Sequence, residues 1–599
     1  RLSGGREQAS ALPLIVALLW ALHPLQTAAV TYIVQRAELL AGLFYLLTLY
    51  AFLRSVAPDV TRPRGWRAVS VIACVLGVGT KEIVATAPLL IFLFDRAFVA
   101  GSLRAAWRAR GRLHLALAST WLPLAALVVV NRGRGGSAGL DAAIGAWPYF
   151  LTQCEGIVRY LALVFWPASQ VFDYGTTVVA GLPSVLPELV LSLALGAVSL
   201  WALRRNHAAG FLGTSFFLLL APSSSFVPVA TQTLAEHRMY LPLAPVVLLA
   251  VLGARGLAER FRVRGLALAF AAAAMVTLGI ATFVRNRVYQ TELRLWSDTV
   301  AKRPGNARAH TNLGLALFRA GRASEAEAAY RRTLELQPNH AFARFNLGAL
   351  LLAQQQWARA EEHFRAALAA DPQYVSARVN LGRALAAQGR RDEAVAEYRT
   401  ALAADPGAHD AAVNLAALLA ARGELREAET LLQAAVAGAP AMPEAHYHLA
   451  LLLEKKGASA AAEAELRAAI GLRPTFAEAH LALGNTLARR DDAQEAETHL
   501  REAIRLEPGL AEAHYALGNL FAKAQQFEPA IAAYDETLRL DPAHVQARAN
   551  LGNCQLVTGR VADAIANYEQ VLRVRPADNG VRRNLEMARE LWRARGSGR

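Results

Sequence analysis

The chain has 599 residues, is 54% hydrophobic and carries a formal net charge of +15 at pH 7. Residues 1–284 are mostly apolar, and many of their arginines lie in short connections between apolar runs, which favours membrane orientation over nucleic-acid binding. The three cysteines, Cys74, Cys154 and Cys554, are too far apart to indicate a disulfide framework or a zinc site. The sequence therefore predicts no nucleic-acid partner and no metal site.

The first half of the chain contains a series of apolar runs. A helix needs roughly 17–25 apolar residues to cross a bilayer, and shorter runs are tolerated at the centre of a bundle. We predict about nine spans, near residues 10–23, 37–54, 68–80, 83–98, 113–130, 185–203, 209–222, 239–254 and 265–284. Glu155 and Arg159 interrupt the run 147–167, which predicts an amphipathic helix at one interface. Residues 1–284 thus form a predicted polytopic transmembrane helical bundle.

Positive charges predict which side of the membrane each connection occupies. One set of alternate connections holds fifteen of them: Arg54, Arg62, Arg64, Arg67, Arg96, Arg104, Arg108, Arg110, Arg112, Arg204, Arg205, Arg255, Arg260, Arg262 and Arg264. The other set holds six: Arg36, Lys81, Arg132, Arg134, Arg159 and Arg238. The richer set is predicted to be cytoplasmic. With an odd number of spans, the rest of the chain emerges outside the cytoplasm.

Polar residues near membrane depth gather on that outer side. They are His23, Arg36, Glu38, Lys81, Glu82, Asp173, Glu236, His237, Arg238 and Tyr240. Ionisable groups at this depth are costly to desolvate, so their grouping predicts a functional site. Arg238 and Lys81 suit a phosphate, and the four carboxylates suit a base, a metal ligand or a partner for those cations. The alternative is that each residue is an interfacial anchor or a helix cap.

The second half of the chain is periodic. Nine prolines recur every 34 residues: Pro304, Pro338, Pro372, Pro406, Pro440, Pro474, Pro508, Pro542 and Pro576. This period, with helical patterning, is typical of the tetratricopeptide repeat (TPR), a pair of antiparallel helices. We predict a connecting helix over 285–306 that is half of a degenerate repeat, eight repeats over 307–578 and a capping helix over 579–599.

Equivalent positions of the repeats divide into core and surface. Leucine at position seven, a small residue at eight, alanine at twenty and a bulky residue at twenty-four predict core. Position six repeats an asparagine, in Asn312, Asn346, Asn380, Asn414 and Asn550, and Asn485, Asn519 and Asn553 continue a polar strip at position nine. A row of amides on the concave face can bind a peptide backbone. Alternatively, these asparagines form hydrogen bonds within the solenoid.

Four segments carry a resemblance to a known family: His23 to Phe52, Thr80 to Asp95, Leu151 to Tyr174, and Glu236 to Pro242 with the sequence EHRMYLP. They resemble bacterial multispanning TPR proteins, which are similar to the transmembrane-and-TPR (TMTC) protein O-mannosyltransferases. The resemblance implies a GT-C type glycosyltransferase, which takes a sugar from a polyprenyl-phosphate carrier on the outer face and places it on Ser or Thr. In such enzymes the catalytic carboxylate lies in the first outer loop, which we expect upstream of Arg1, so the catalytic residue stays unknown.

The sequence thus predicts an all-α protein with an N-terminally truncated, GT-C-like membrane bundle followed by a TPR α-solenoid. Its expected function is transfer of a sugar from a polyprenyl-phosphate-linked donor to protein acceptors held by the repeats. Membrane lipid and peptide are the expected partners, and the bacterial inner membrane, with the repeats on the periplasmic side, is the expected location. The alternative is a non-enzymatic membrane scaffold for protein–protein interaction.

Overall fold

The computed structural model describes residues 11–31, 36–130, 144–176, 178–179, 181–205, 207–224 and 233–596. Every regular element in these ranges is a helix, which confirms the predicted all-α class. The chain divides into two compact units, Arg1–Leu350 and Leu351–Arg599.

The first unit contains the apolar helices, the connecting helix and the first repeat. Its α-helices are α1 (Ala11–Ala21), α2 (Thr27–Thr31), α3 (Arg36–Val56), α4 (Pro63–Val78), α5 (Ala87–Phe94), α6 (Leu103–Ala118), α7 (Trp121–Val130), α8 (Ala146–Phe165), α9 (Leu186–Arg204), α10 (Ala208–Leu220), α11 (Leu243–Arg260), α12 (Arg264–Val288), α13 (Glu292–Lys302), α14 (Ala307–Arg319) and α15 (Ala323–Leu336). Helix α16 (Ala341–Ala353) crosses the boundary between the units.

Several helices of the first unit are suited to a bilayer. Four are long and apolar enough to cross one, Ala37–Val56, Glu82–Ala100, Leu182–Arg204 and Arg264–Val288, and a pair bent by 55°, Leu12–Ala21 with Pro24–Val30, could be a fifth. Helix α12 exposes a series of large apolar side chains, as expected where lipid replaces water. The other predicted spans fall on helices that are shorter or less apolar. The membrane character is therefore supported, whereas the number nine stays a prediction.

Helix α8 covers the predicted amphipathic segment. Half of its residues, including Tyr149 and Tyr160, are buried in the first unit, and Arg159 donates to Glu155 one turn away at 2.8 Å. The helix is therefore an internal packing element, and its position at an interface stays a prediction.

Two apolar cores fill the membrane part of the first unit. One joins α3, α4, α5 and α10 through side chains such as Tyr45, Ile91 and Leu219. The other joins α8, α10 and α11 and includes Met239. Met239 is the last residue of a short 3-10 helix, Glu236–Met239. Because Leu241 belongs to the first core and Met239 to the second, this short helix lies where the two cores adjoin.

The second unit is a stack of helix pairs. Its helices are α17 (Trp357–Ala370), α18 (Val375–Ala387), α19 (Arg391–Ala404), α20 (His409–Arg422), α21 (Leu425–Gly438), α22 (Pro443–Lys455), α23 (Ser459–Leu472), α24 (Ala477–Arg489), α25 (Ala493–Leu506), α26 (Ala511–Lys523), α27 (Phe527–Leu540), α28 (Val545–Val557), α29 (Val561–Val574) and α30 (Asn579–Gly596). The first helices of successive pairs contact one another, as in the inner layer of a solenoid.

The core positions of the repeats pack as their residue types require. The alanine at position twenty is fully buried in every repeat. A Cβ added to Gly382 would lie 2.5 Å from the Tyr398 ring, and the same holds for Gly518 and Tyr534 at 2.6 Å. The bulky residue at position twenty-four therefore covers the small residue at position eight of its own repeat.

The turn between the two helices of each repeat has a fixed backbone conformation. Position fifteen has a positive φ in all eight repeats, in Gly321, Gln355, Gly389, Gly423, Gly457, Asp491, Gln525 and Gly559. Glycine adopts this left-handed conformation without steric cost, and a residue in it commonly ends a helix. Three repeats hold a side chain at this position all the same.

Candidate functional site

The 3-10 helix Glu236–Met239 organises the polar residues that the sequence grouped together. The hydroxyl of Tyr160 accepts a hydrogen bond from the Ala235 backbone at 2.8 Å, which fixes the start of this helix. Glu236 and Arg238 are buried, and His237 is half-buried. Two polar groups lie around the short helix, one containing His237 and the other Glu236.

The first group, here called the Lys81 cluster, consists of Glu38, Lys81 and His237. Lys81 donates to the carboxylate of Glu38, which is buried in the first turn of α3. The Nε2 atom of His237 lies 3.9 Å from the same carboxylate. Burial, together with the charges of Lys81 and Arg238, lowers the pKa of His237 well below its usual range. The cluster therefore presents a half-exposed ammonium beside a neutral imidazole.

Arg238 belongs to the protein interior. Its Nη1 donates to the backbone carbonyls of Ser223 at 2.9 Å and Thr233 at 3.0 Å, and contacts the Tyr149 hydroxyl and the Gln153 amide oxygen at 3.3 Å. Carbonyl groups carry no formal charge, so these partners do not form an ion pair with the guanidinium. Arg238 therefore contributes positive potential to the Lys81 cluster while it ties α8 to two backbone segments.

Other predicted site residues surround these groups. The Nε2 atom of His23 lies 2.9 Å from the Val164 carbonyl, and its Nδ1 accepts from the Leu25 backbone, so His23 caps a short helix. The Tyr240 ring packs 5.3 Å from that of Trp20. Glu82 is half-buried beside Lys81. The side chain of Arg36 lies outside the described residues.

The second group connects Glu236 to the segment after α8, residues 170–176, here called the docking segment. The carboxylate of Glu236 accepts from the Val171 backbone at 2.5 Å and from the Tyr174 hydroxyl at 2.8 Å. Burial raises the pKa of Glu236 to about 7, although Arg285 and the two hydrogen bonds oppose this shift. Glu236 therefore changes its charge near neutral pH.

The docking segment also binds the first repeat. Arg308 of α14 forms two hydrogen bonds to the buried carboxylate of Asp173, at 2.6 and 2.5 Å, and Asn306 donates to the Asp173 carbonyl at 3.0 Å. Lys302 donates to the Gln170 carbonyl at 2.8 Å. These contacts explain why the first repeat lies in the first compact unit.

An aromatic and ionic contact supports the same docking. Phe172 packs edge-on against Trp296 of α13 at 5.3 Å and against Tyr289 at 5.9 Å. Arg285 of α12 donates to Asp298 of α13 at 2.7 Å. These contacts hold the docking segment beside α13. The two hydrogen bonds from Arg308 make Asp173 a partner for a cation, which is one of the three roles that the sequence left open for it.

The asparagines at position six make local hydrogen bonds. Asn346, Asn380 and Asn414 each donate to the carbonyl four residues earlier, at 2.7, 2.9 and 2.8 Å. Asn550 instead donates at 2.9 Å to Asn519 of the preceding repeat, which also accepts from Tyr534. Asn553 accepts in the same way from Tyr568 and Asn584. Asn550 thus links repeats, whereas the local bond of Asn414 uses one N–H of its amide. Asn380 uses one N–H in the same way, and its amide oxygen also accepts from Arg383 at 3.1 Å.

The described residues contain no group of three or more histidine, cysteine, aspartate or glutamate side chains that could hold a metal ion. The docking of the first repeat was not predicted, because Asp173 and Arg308 are 135 residues apart in the sequence. The available signal was that Asp173 is one of four carboxylates grouped on the predicted outer side. It could not identify the partner.

Family comparison supports the repeats. Profiles of the tetratricopeptide repeat match residues 305–373, 345–409, 385–452, 447–511 and 515–580. The predicted TPR α-solenoid is thereby confirmed.

Two curated proteins resemble the chain more widely. A protein O-mannosyl-transferase of Caenorhabditis elegans is 26% identical over 336 residues, which are 53% of this chain and 45% of that protein. The protein O-mannosyl-transferase TMTC2 of Mus musculus is 35% identical over 129 residues, which are 20% of this chain and 15% of that protein. The matched regions thus cover less than half of either relative. The predicted resemblance to the TMTC proteins is confirmed at low identity.

Solved structures also resemble the repeats. YrrB, described as a TPR protein with an unusual peptide-binding site, is 24% identical, and the match covers 31% of this chain and 96% of YrrB with a TM-score of 0.26. A tetratricopeptide repeat protein from Parabacteroides merdae is 18% identical, and the match covers 41% and 98% of the two chains with a TM-score of 0.33.

Proposed function

We propose that the protein is a membrane-embedded glycosyltransferase that takes a sugar from a polyprenyl-phosphate carrier and transfers it to Ser or Thr of proteins held by its repeats. The observation that carries this proposal is the Lys81 cluster. A half-exposed ammonium beside the neutral His237, in the positive potential of Arg238, suits a phosphate head group. The names of the two curated relatives support the same class of reaction.

Lys81 is the central residue of the proposed donor site. Arg238 is buried and its Nη1 donates to carbonyl groups, whereas the Lys81 side chain is 21% exposed. We therefore assign the direct phosphate contact to Lys81 and a supporting electrostatic role to Arg238. Glu38 holds the ammonium in place until the phosphate competes for it.

Binding of polyprenyl phosphate to the full chain in zwitterionic nanodiscs tests the donor site. Replacing Lys81 alone would leave the Glu38 carboxylate buried without its partner, so the informative variant is the double change Glu38→Gln and Lys81→Gln. Arg287→Gln is the matched control, because Arg287 is an exposed cation at the end of α12. We expect at least about tenfold weaker binding in the double variant and wild-type binding in the control. Equal binding by all three proteins would refute the donor site.

The proposed acceptor site is the inner layer of the second unit, where Asn380 and Asn414 keep hydrogen-bonding capacity beyond their local bonds. The variant Asn380→Ala with Asn414→Ala should weaken binding of Ser/Thr-containing peptides, by about 0.5–1.5 kcal/mol for each lost hydrogen bond. Asn550→Ala is the control, since Asn550 is occupied by Asn519 and should affect stability more than binding. Unchanged peptide affinity in the double variant would show that these asparagines are structural.

A non-enzymatic scaffold is the second candidate function. It is favoured by the internal partners of Arg238 and Asp173, which use these side chains for packing. The two functions differ in one measurement, the incorporation of labelled sugar from a polyprenyl-phosphate donor into a peptide. A scaffold would bind the peptide through its repeats and transfer nothing.

A further inference from the structure

A cavity of about 660 Å³ opens between the start of α4 and the middle of α6, and its polar lining is basic. Arg67 of α4 and Arg108, Arg110 and Arg112 of α6 line it. These arginines belong to the connections that the charge distribution predicts to be cytoplasmic. The cavity is thus distinct from the Lys81 cluster, whose residues belong to the opposite set.

An internal ion pair shapes this cavity. The backbone of Arg110 leaves the helical conformation (φ −140°, ψ 22°), and its guanidinium forms two hydrogen bonds to Asp95, at 2.8 and 2.5 Å. Asp95 is fully buried at the start of a π-helical segment, Asp95–Ala100, and also lies 2.8 Å from Nε2 of His114. The charge of Arg110 is therefore already neutralised, and the break in α6 is fixed by a buried contact.

The other three arginines have no such compensation. No aspartate or glutamate lines the cavity among the described residues, and Arg67, Arg108 and Arg112 have no acidic partner there. Arg67 is half-buried, and its Nε has no hydrogen-bond partner within the same residues. For Arg67, a partly desolvated guanidinium without a partner is unfavourable, and an anion in the cavity would remove that cost. Arg108 and Arg112 are exposed and can reach the same anion from the side of the solvent.

The border of the cavity is apolar. Trp107 and Leu115 are 49% and 57% exposed, although both are large hydrophobic side chains. Trp107 packs edge-on against Phe92, a residue of the apolar span Glu82–Ala100. Tryptophan prefers the boundary between lipid tails and head groups. Guanidinium groups beside exposed apolar side chains fit a ligand that has both an anionic and an apolar part.

We infer that this cavity binds the phosphate head group of an anionic membrane lipid, with Arg67, Arg108 and Arg112 as its ligands and Trp107 and Leu115 against the start of the acyl chains. Guanidinium forks bind phosphate oxygens in pairs. Because no carboxylate lines the cavity within the described part of the chain, the cationic group of a zwitterionic lipid would find no partner there. Basic pockets between membrane helices on the cytoplasmic side commonly hold such lipids.

The test compares lipid retention by the full chain in nanodiscs of phosphatidylcholine that contain a minority of phosphatidylglycerol. Native mass spectrometry then counts each lipid that stays bound to the released protein. The pocket variant carries Arg67→Gln, Arg108→Gln and Arg112→Gln. The charge-matched control carries Arg204→Gln, Arg260→Gln and Arg264→Gln, which remove the same charge elsewhere on the predicted cytoplasmic side. A third variant, with lysine at the three pocket positions, controls for folding. Arg110 is left unchanged.

We expect the wild type and the control to retain phosphatidylglycerol preferentially, and the pocket variant to lose that preference by at least about tenfold. The lysine variant should fold normally and show an intermediate preference, because it keeps the charge but not the paired contacts of a guanidinium. Equal preference in the pocket variant would overturn the proposal, as would loss of preference in the control.

Inorganic phosphate is titrated separately. If it binds the wild-type protein as tightly as the lipid does, the ligand is a soluble phosphate and the lipid assignment is wrong. The donor site is tested by the variant of Glu38 and Lys81, and the lipid cavity is tested by the variant of Arg67, Arg108 and Arg112. The two proposals can therefore fail independently.

Discussion

Glu236 combines a buried position with a charge that changes near neutral pH. Its folded pKa of about 7 lies above the ordinary value of 4.5. A raised carboxyl pKa means that the folded state binds the proton more tightly than the unfolded state. The contribution to stability is therefore largest below about pH 4.5 and declines as the pH rises towards 7.

We predict that Glu236→Gln flattens this pH dependence. The glutamine oxygen can accept the same hydrogen bonds from Val171 and Tyr174, while the side chain no longer ionises. The measurement is the thermal unfolding temperature of the full chain in detergent between about pH 5 and 8. The wild type should lose stability across this range, and the variant should lose less. Parallel profiles would show that Glu236 does not titrate there.

Asp173 and Arg308 should stabilise the docking of the first repeat. Asp173→Asn removes the charge from a buried bidentate pair and should loosen α14 more than it affects the bundle. Hydrogen exchange of α14 is the measurement, and faster exchange is the expected result. Arg319→Ala is the control, because its ion pair with Glu292 is well exposed and contributes at most about 1 kcal/mol. Similar exchange in both variants would contradict this role of Asp173.

Within each helix pair, the turn at position fifteen has the same backbone conformation, although the residue at that position varies. The equivalent backbone has a positive φ whether the residue is glycine or not. A side chain in this conformation costs roughly 1–2 kcal/mol. The neighbouring helices must therefore impose the turn at Gln355, Asp491 and Gln525.

We predict that Gln525→Gly stabilises its repeat by up to about 1 kcal/mol, because the left-handed strain disappears while glycine adds some unfolded-state entropy. The reverse change at an equivalent position, Gly457→Ala, should destabilise by a similar amount, since a Cβ there would meet no atom within 4 Å and only the backbone strain remains. Hydrogen exchange of the flanking helices in the full chain measures both. A loss of stability in Gln525→Gly would show that the glutamine side chain has contacts that outweigh the strain.

For the whole molecule, the orientation in the membrane is the central expectation. The positive charges predict that the repeats lie outside the cytoplasm. A reporter that is active only in the periplasm should therefore be active when fused after Arg599 and inactive when fused after Arg205. Activity at the second position, or inactivity at the first, would refute the predicted topology.

The sequence predicted the features that repeat, whereas the side of the membrane on which the polar residues lie stays a prediction. The 34-residue period determined the repeats because equivalent residues meet equivalent neighbours, as Gly382 meets Tyr398. Glu38 and Lys81 were placed on the same predicted side, but their pairing was only one of the roles left open for the carboxylates.

Contacts between distant segments were beyond prediction. The link from Asp173 to Arg308 and the carbonyl partners of Arg238 depend on how the bundle packs. Asp95 and Arg110 were interpreted only as a span residue and a topological charge, because neither sequence position indicates the break in α6 that joins them.

The regularity of the turn also bears on how the repeat region can change over generations. Because the backbone returns to the same conformation every 34 residues in the second unit, a recombination event that removes or duplicates one period rejoins equivalent points of the chain. The new junction restores the contact between positions eight and twenty-four within a repeat. The number of repeats is therefore open to change by single genetic events. The docking segment, which is matched to one particular repeat, restricts such events to the part of the solenoid that follows it.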